Sequence, residues 1–239
     1  MRPRRLAWPL GAPRTEREIT LDRAQARHGL LALRLTVGRE VTLTSPWGLC
    51  PAVVKRADRQ RLILTVEPVG EFEATQAATG PTLALPLLRP SRFDWAVEKA
   101  VELGARELWP ILPARSRARQ PDSQKPERWR RLAEEARKQC ARAQPLAIAE
   151  ILTWPDFLTR ASSFAGLRLR LDPSGASWPV ESMGDPLLVV GPEGGLTESE
   201  TADLVALGFH PVSLGPWALR SETAALAALA QLGGLVRAG

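Results

Sequence analysis

The 239-residue sequence predicts a mainly parallel α/β domain preceded by a small β-barrel. Two changes of rhythm carry that prediction. Up to about residue 70 the chain reads as short strands broken by turn residues, the spacing of a small barrel. Beyond residue 75 strands alternate with amphipathic helices, which argues βαβ units with helices on both faces of a sheet. A third observation fixes the interior strand. Leu187–Val190 is an unbroken apolar run, as expected of a strand buried on both faces. We therefore place the domain boundary near 75, giving 1–74 and 75–239.

The first domain offers strands at Glu40–Thr44, Ala52–Arg56 and Arg61–Val66. Ser45-Pro46-Trp47-Gly48 and Asp58-Arg59-Gln60 separate them as turns. A helix starts at Asp22, whose carboxylate suits an N-cap, and carries Leu30, Leu31 and Leu33. In the second domain Thr82–Leu88 is a strand. Ser91–Leu103 follows as a helix with Phe93, Ala96, Val97, Ala100 and Val101 on one stripe. Glu107–Leu112 is the next strand. Pro126 then opens a helix running to about Arg142, with Trp129, Leu132, Ala133, Ala136 and Cys140 inward. Strands at Ala147–Ile151 and Leu167–Leu171 flank a short helix at Asp156–Ala161. Thr197 and Glu200 make a capping box for a helix that stops at Gly208. Pro211–Leu214 is the last strand and Glu222–Val236 the last helix. That helix is apolar around most of its circumference, so it is buried either inside the domain or against a second subunit.

Composition excludes several classes of function. Hydrophobic residues at 44% and charged residues at 24% are globular values. No run is long and apolar enough to span a bilayer, and no signal-peptide core follows Met1-Arg2-Pro3-Arg4-Arg5, so a cytoplasmic protein is expected. Cys50 and Cys140 cannot build a disulfide framework or a four-thiolate zinc site. With only His28 and His210, and no tyrosine, neither a Ser-His-Asp triad nor a metal centre is expected. The formal charge of +6 and a pI near 10.3 raise the prior for a polyanionic partner. Basic residues gather at the start of the chain and again between Arg115 and Arg142, a pattern that points to nucleic acid.

The chemistry concentrates at two strand exits. Val190-Gly191-Pro192-Glu193-Gly194-Gly195-Leu196 follows the buried strand, where ligands of open α/β sheets collect. It has neither the Lys-Ser/Thr of a phosphate loop nor GxGxxG spacing, and Glu193 would repel phosphate. A ligand without phosphate fits better, such as an adenosine-bearing sulfonium. A tight turn with no ligand is the plainer alternative. The second exit reads Leu214-Gly215-Pro216-Trp217-Ala218-Leu219-Arg220-Ser221-Glu222-Thr223-Ala224. Arg220 breaks a local rule there, because a cation at a helix N-terminus opposes the dipole. Such breaks mark functional positions.

These two segments, with LRPSRFDWAVEKAVELG at 88–104, Glu135-Ala136 with Gln139–Arg142, the basic start and RHGLLALRL at 27–35, resemble the RsmE-type 16S rRNA uridine-N3 methyltransferases of the SPOUT class. The resemblance spans nearly the whole chain in order. It implies a PUA-like barrel followed by a trefoil-knotted α/β domain, S-adenosylmethionine as cofactor, a homodimer formed through the last helix, and small-subunit rRNA, in the assembled subunit, as partner. It further implies that three loops hold the cofactor: Leu171 to Ser174, Val190 to Leu196, and Leu214 to Arg220. Within them Val190, Gly191, Pro192, Glu193, Gly194, Gly195 and Gly215 would present backbone groups. Leu171, Leu214 and Leu219 would pack on the adenine, and Thr223 completes the set. The sequence departs from the family at Trp217, where a basic residue is usual, at Ala218, at Arg89-Pro90-Ser91 and at Ala114.

The implied reaction moves a sulfonium methyl to uridine N3, so the protein supplies orientation, water exclusion and proton removal. Arg220 is expected to stabilise charge on the uracil carbonyls, or else to pair with Glu222. Arg92 is a second catalytic candidate, or a phosphate contact. Glu222, Glu193 and water remain as acceptors of the proton. Arg2, Arg4, Arg5, Arg34 and Arg115 are expected to grip RNA, and Trp217 to stack on a base. Two other functions compete: methylation of another RNA position, and RNA binding without catalysis.

Overall fold

The structure is a computed structural model. It describes residues 4–9, 12–13, 15–45, 48–70, 73–74, 80–116, 124–140, 142, 144–178 and 185–236. The chain divides into two compact units, 1–78 with 137–144 and 79–136 with 145–239.

In the first unit, strands β1 (Arg5–Ala7), β2 (Ile19–Thr20), β3 (Glu40–Ser45), β4 (Gly48–Asp58), β5 (Ile63–Pro68) and β6 (Glu73–Ala74) form one sheet. Its order is β1-β3-β4-β5-β2, with β6 also on β4. The β1–β3 pair is parallel and the others antiparallel. Among the described residues β1 and β2 do not pair, so the sheet is a half-barrel. Alternation along β3 and β4 sends Val41, Leu43, Ala52 and Val54 into a core shared with Leu64 and Val66. Helix α1 (Arg23–Arg27) is capped by Asp22, whose side chain accepts from the Gln25 N–H, and it widens into one π turn at His28–Ala32. Strand β4 is longer than the sequence suggested because Pro51 does not end it. The Pro51 carbonyl still accepts from Val69 N at 3.0 Å.

The second unit alternates as expected: β7 (Thr82–Pro86), α2 (Pro90–Glu102), β8 (Glu107–Leu112), α3 (Gln124–Cys140), β9 (Ala147–Ile148), β10 (Leu152–Thr153), α4 (Trp154–Ser162), β11 (Arg168–Ser177), β12 (Leu187–Val189), α5 (Glu198–Ala206), β13 (His210–Ser213) and α6 (Ser221–Val236). The last residues of α3 belong to the first unit. Every pairing in the sheet is parallel, in the order β10-β8-β7-β12-β11-β13, with β9 also on β8. Period-two alternation feeds two cores. Leu83, Leu85, Leu188 and Val190 pack with α2, α3 and α6. Ala84, Leu187 and Val189 pack with α4 and α5 on the other face. That double coverage explains the apolar run at 187–190.

One open sequence expectation is narrowed here and another changes. Helix α6 turns Ala225, Leu226, Ala228, Leu229 and Leu232 into the domain core, while Thr223 and Ala230 are exposed. Burial inside the domain accounts for those five positions. Strand β11 runs on to Ser177 where a loop was expected after Leu171. Leu171 and Ala176 both lie opposite Val212, so residues 172–175 loop out as a bulge within the strand.

Leu188 is fully buried on the central strand. Leu188→Ala is expected to lower the free energy of unfolding by about 3 kcal/mol, read by urea denaturation.

Candidate active site

Because all strands of the second unit point the same way, their exits share the carboxyl edge of the sheet. Leu171 lies opposite Val212, Arg170 opposite Val189, and Ala84 opposite Val189. The exits of β7, β12, β11 and β13 therefore follow one another along that edge, and β8 adds Pro113–Ser116 beside β7. A crevice there is the expected ligand position of an open α/β sheet.

The first glycine turn leaves β12. Its Gly195 N–H returns to the Pro192 carbonyl at 2.8 Å, and Gly195 takes φ +72°, a left-handed conformation that favours glycine. Thr197 and Glu200 then form the capping box of α5. Glu200 does more than the sequence indicated. It is buried, and while Oε2 accepts from Thr197 N at 2.8 Å, Oε1 accepts from Ala114 N at 2.6 Å. One carboxylate thus ties the β8 exit to the glycine turn. Arg115 adds a second tie by donating Nη1 to the Gly194 carbonyl at 2.9 Å. A cavity of about 390 Å³ lies between these exits, lined by Leu87, Leu88, Arg89, Arg115, Pro192, Glu193 and Gly194.

The second turn leaves β13. Gly215 has φ +135°, and Ser213 Oγ both donates to the Gly215 carbonyl and accepts its N–H. The two turns meet through Ser221. Its buried hydroxyl donates to the Gly191 carbonyl at 2.7 Å, although thirty positions separate the two residues. Sequence reasoning passed over Ser221, because a serine at a helix start reads as a cap.

A charged cluster lies beside this bond. Arg92, in the first turn of α2, donates Nη1 to Glu193 Oε1 at 2.5 Å, and its Nε is 3.5 Å from Glu222 Oε1. The Glu222 side chain is only 6% exposed, and its Oε2 is buried with no hydrogen-bond partner among the described residues. An unpaired buried polar group costs on the order of 1–3 kcal/mol, more when charged. The partner of Glu222 is therefore Arg92, not Arg220. Arg220 is exposed, and its side chain has no ion pair among the described residues.

The other expected residues divide by location. Leu171 and Leu214 are half-buried, Val190 and Pro192 buried, and Thr223 exposed. Trp217 is 79% exposed and Leu219 42%, both unusual for large apolar side chains. Arg4, Arg5 and Arg34 belong to the first unit, and Arg2 lies outside the described residues. Arg4 and Arg5 line a cavity of about 980 Å³ within that unit, together with His28, Arg137 and Lys138. That cavity is the larger, but the glycine turns take no part in it. Among the described residues no group of three or more His, Cys, Asp or Glu could hold a metal, and no helix is long and apolar enough to cross a membrane.

Residues 76–233 match the sequence pattern of the RNA methyltransferase domain family. The ribosomal RNA small subunit methyltransferase E of Aquifex aeolicus is 30% identical over 180 residues, covering 72% of this chain and 75% of that protein. This chain belongs to the ribosomal RNA small subunit methyltransferase E family. The enzyme of that name from Synechocystis is 35% identical over 162 residues, 65% of this chain. The matched stretch spans about half, 53%, of that relative's length. A Legionella pneumophila structure described as a methyltransferase with bound cofactor SAM has a TM-score of 0.77 at 26% identity, covering 98% of each chain. In family terms the two glycine turns belong to the matched domain, whereas Arg4, Arg5 and Arg34 precede it.

Asp172, in the β11 bulge, gives this edge its pH dependence. Burial alone pushes its carboxyl up. Hydrogen bonds from Ser174 Oγ at 2.7 Å and Ser174 N at 2.9 Å, with Arg170 at 2.5 Å, outweigh burial and hold it below the usual carboxylate range. A depressed carboxyl stabilises the fold above its unfolded pKa, and that stability is lost as pH falls through the folded value. Asp172→Asn should therefore be less stable than the parent at neutral pH. The gap should close in acid below the ordinary carboxylate range, as measured by urea denaturation at both pH values.

Proposed function

We propose that this protein transfers the methyl group of S-adenosylmethionine to N3 of a uridine in 16S rRNA, acting on the assembled small subunit as a homodimer joined through α6. The observation that carries the reading is the Ser221–Gly191 hydrogen bond, which joins the two glycine turns at the carboxyl edge. Family membership and the SAM-bound Legionella relative support it. In this reading the second unit is a trefoil-knotted SPOUT domain and the half-barrel a PUA-like RNA-binding domain.

The residues present suit such a ligand. An adenosyl sulfonium carries no phosphate, and the Gly191–Gly195 turn offers backbone groups and the acidic Glu193 in place of a phosphate-binding lysine. A Cβ at Gly215 would project into open space on this edge, leaving room for a ligand against the turn. Leu171, Leu214 and the exposed Leu219 supply apolar surface for a flat ring. Val190, Gly191, Pro192, Gly194 and Gly195 line its first side, and Gly215 and Thr223 its second. When bound, this cofactor supplies a methyl group on an already activated leaving group.

The chain itself has three tasks. The joined turns orient the donor and exclude water. The target uridine must leave its stack to reach the edge. Arg220, exposed and without an ion pair, stabilises the negative charge that grows on the uracil carbonyls as N3 loses its proton. Trp217 stacks on a base, and Arg115, exposed beside the 390 Å³ cavity, reaches the backbone of the RNA. Arg2, Arg4, Arg5 and Arg34 hold RNA phosphates from the first unit.

Mass spectrometry of 16S rRNA from a deletion strain tests the reading. Loss of one N3-methyluridine, restored by the intact gene and not by Arg220→Ala, is the expected outcome. Arg220→Ala should retain cofactor affinity by calorimetry while turnover falls by about a hundredfold. A modification lost at tRNA or a ribose hydroxyl would redirect the substrate assignment. An independent measurement covers the first unit. Arg4→Ala with Arg5→Ala should weaken RNA affinity equally for target and non-target sequences and make the salt dependence shallower by about two contacts.

A further inference from the structure

The geometry points to Glu222 as the group that accepts the uridine N3 proton; this rests on the proposed reaction and names its general base. Of the carboxylates at this edge, Asp172 is held by Ser174 and Arg170, Glu200 by Thr197 N and Ala114 N, and Glu193 has its Oε1 bonded to Arg92 at 2.5 Å and lies nearer the surface. Glu222 is buried and has an oxygen left over. Its Oε1 faces Arg92 at 3.5 Å, and its Oε2 has no partner although it is shut away from solvent. Buried polar atoms in native proteins are seldom left without a partner, and a bound ligand is one way to complete such an atom; Glu222 Oε2 is the carboxylate oxygen among those left over in the described residues. The N3–H of a uracil is a donor of the right kind for a carboxylate oxygen.

Position agrees with that role. Glu222 follows Ser221, the residue whose hydroxyl joins the two glycine turns, and Arg92 links its carboxylate to Glu193 on the first of them. Charged neighbours come from two elements: Arg92 from α2, and Glu193 through Arg92 from the β12 turn. Strand β7, which also packs on α6, carries no titratable residue.

The step balances. The N3–H bond breaks and its proton passes to Glu222 Oε2. The N3 electron pair forms a bond to the methyl carbon of the sulfonium donor. The carbon–sulfur bond breaks, leaving its pair on a neutral thioether. The Glu222 carboxyl returns its proton to solvent after release.

The test compares Glu222→Gln with the parent on target RNA made with uridine or with 5-fluorouridine, whose N3 proton is more acidic. The expected result is an unchanged affinity for S-adenosylmethionine by calorimetry and a single-turnover rate on uridine lowered by about a hundredfold. On 5-fluorouridine RNA the loss should shrink to about tenfold or less, since an acidic substrate needs a base least. Glu222→Gln should also narrow the parent's binding preference for uridine RNA over N3-methyluridine RNA, a readout independent of turnover. An unchanged rate on uridine overturns the assignment. So does an equal loss on both RNAs, or a loss explained by weaker cofactor binding.

If Glu222→Gln does not fold, the parent enzyme decides. With a protein carboxylate as acceptor its rate on uridine does not climb with pH. With solvent as acceptor it climbs about tenfold per pH unit. Failure of the parent itself to methylate N3 would instead reject the proposed reaction, and the two failures are distinct.

Discussion

The candidate site depends on one hydrogen bond, from Ser221 Oγ to the Gly191 carbonyl. Strands β12 and β13 are not neighbours, because β11 lies between them. Their exits would stand apart on the sheet edge without a link. The bond is partly buried and charge-neutral, and its geometry fixes the start of α6 against the turn after β12. The Arg92 contacts to Glu193 and Glu222 repeat the link with charges, adding α2 as a third element.

The sheet beneath it makes such a link useful. Parallel pairing throughout puts every exit on one edge, and two cores hold the strands from opposite faces. Position on this edge is therefore set by packing at a distance. Glu200 shows how the two are coupled. It caps α5, a structural duty, and with its other oxygen holds Ala114 N, which sets the β8 exit beside the glycine turn. Removing that carboxylate would loosen two loops at once.

Much of this was legible before the structure. The apolar run at 187–190, the capping box at Thr197 and Glu200, and the helical stripe from Phe93 to Val101 each report a local rule that the fold obeys. Both glycine turns were visible as Gly-Pro pairs after strands. What stayed hidden was pairing across distance. Nothing local separates a serine that caps its own helix from Ser221, which reaches back thirty residues. Likewise Glu222 sits two residues from Arg220 in sequence, yet its cation partner is Arg92 on another helix. The bulge after Leu171 was missed for a related reason. Asp172-Pro173-Ser174-Gly175 has turn chemistry, and pairing with β13 resumes beyond it only because Val212 accommodates both flanks.

Charge at the start of α6 separates two residues that look alike in sequence as helix openers. Glu222 is favoured by the dipole and still has one oxygen unsatisfied, so burial withholds from it the solvent that would complete it. Arg220 is opposed by the same dipole, by roughly 0.3–1 kcal/mol, and stays in solvent without a carboxylate beside it. Glu222 Oε2 lacks a donor within the described residues, while Arg220, hydrated at the surface, is open to an anion. A uracil ring giving up its N3 proton presents both, a donor at nitrogen and growing negative charge at the flanking oxygens, and it would satisfy the two residues in the same step.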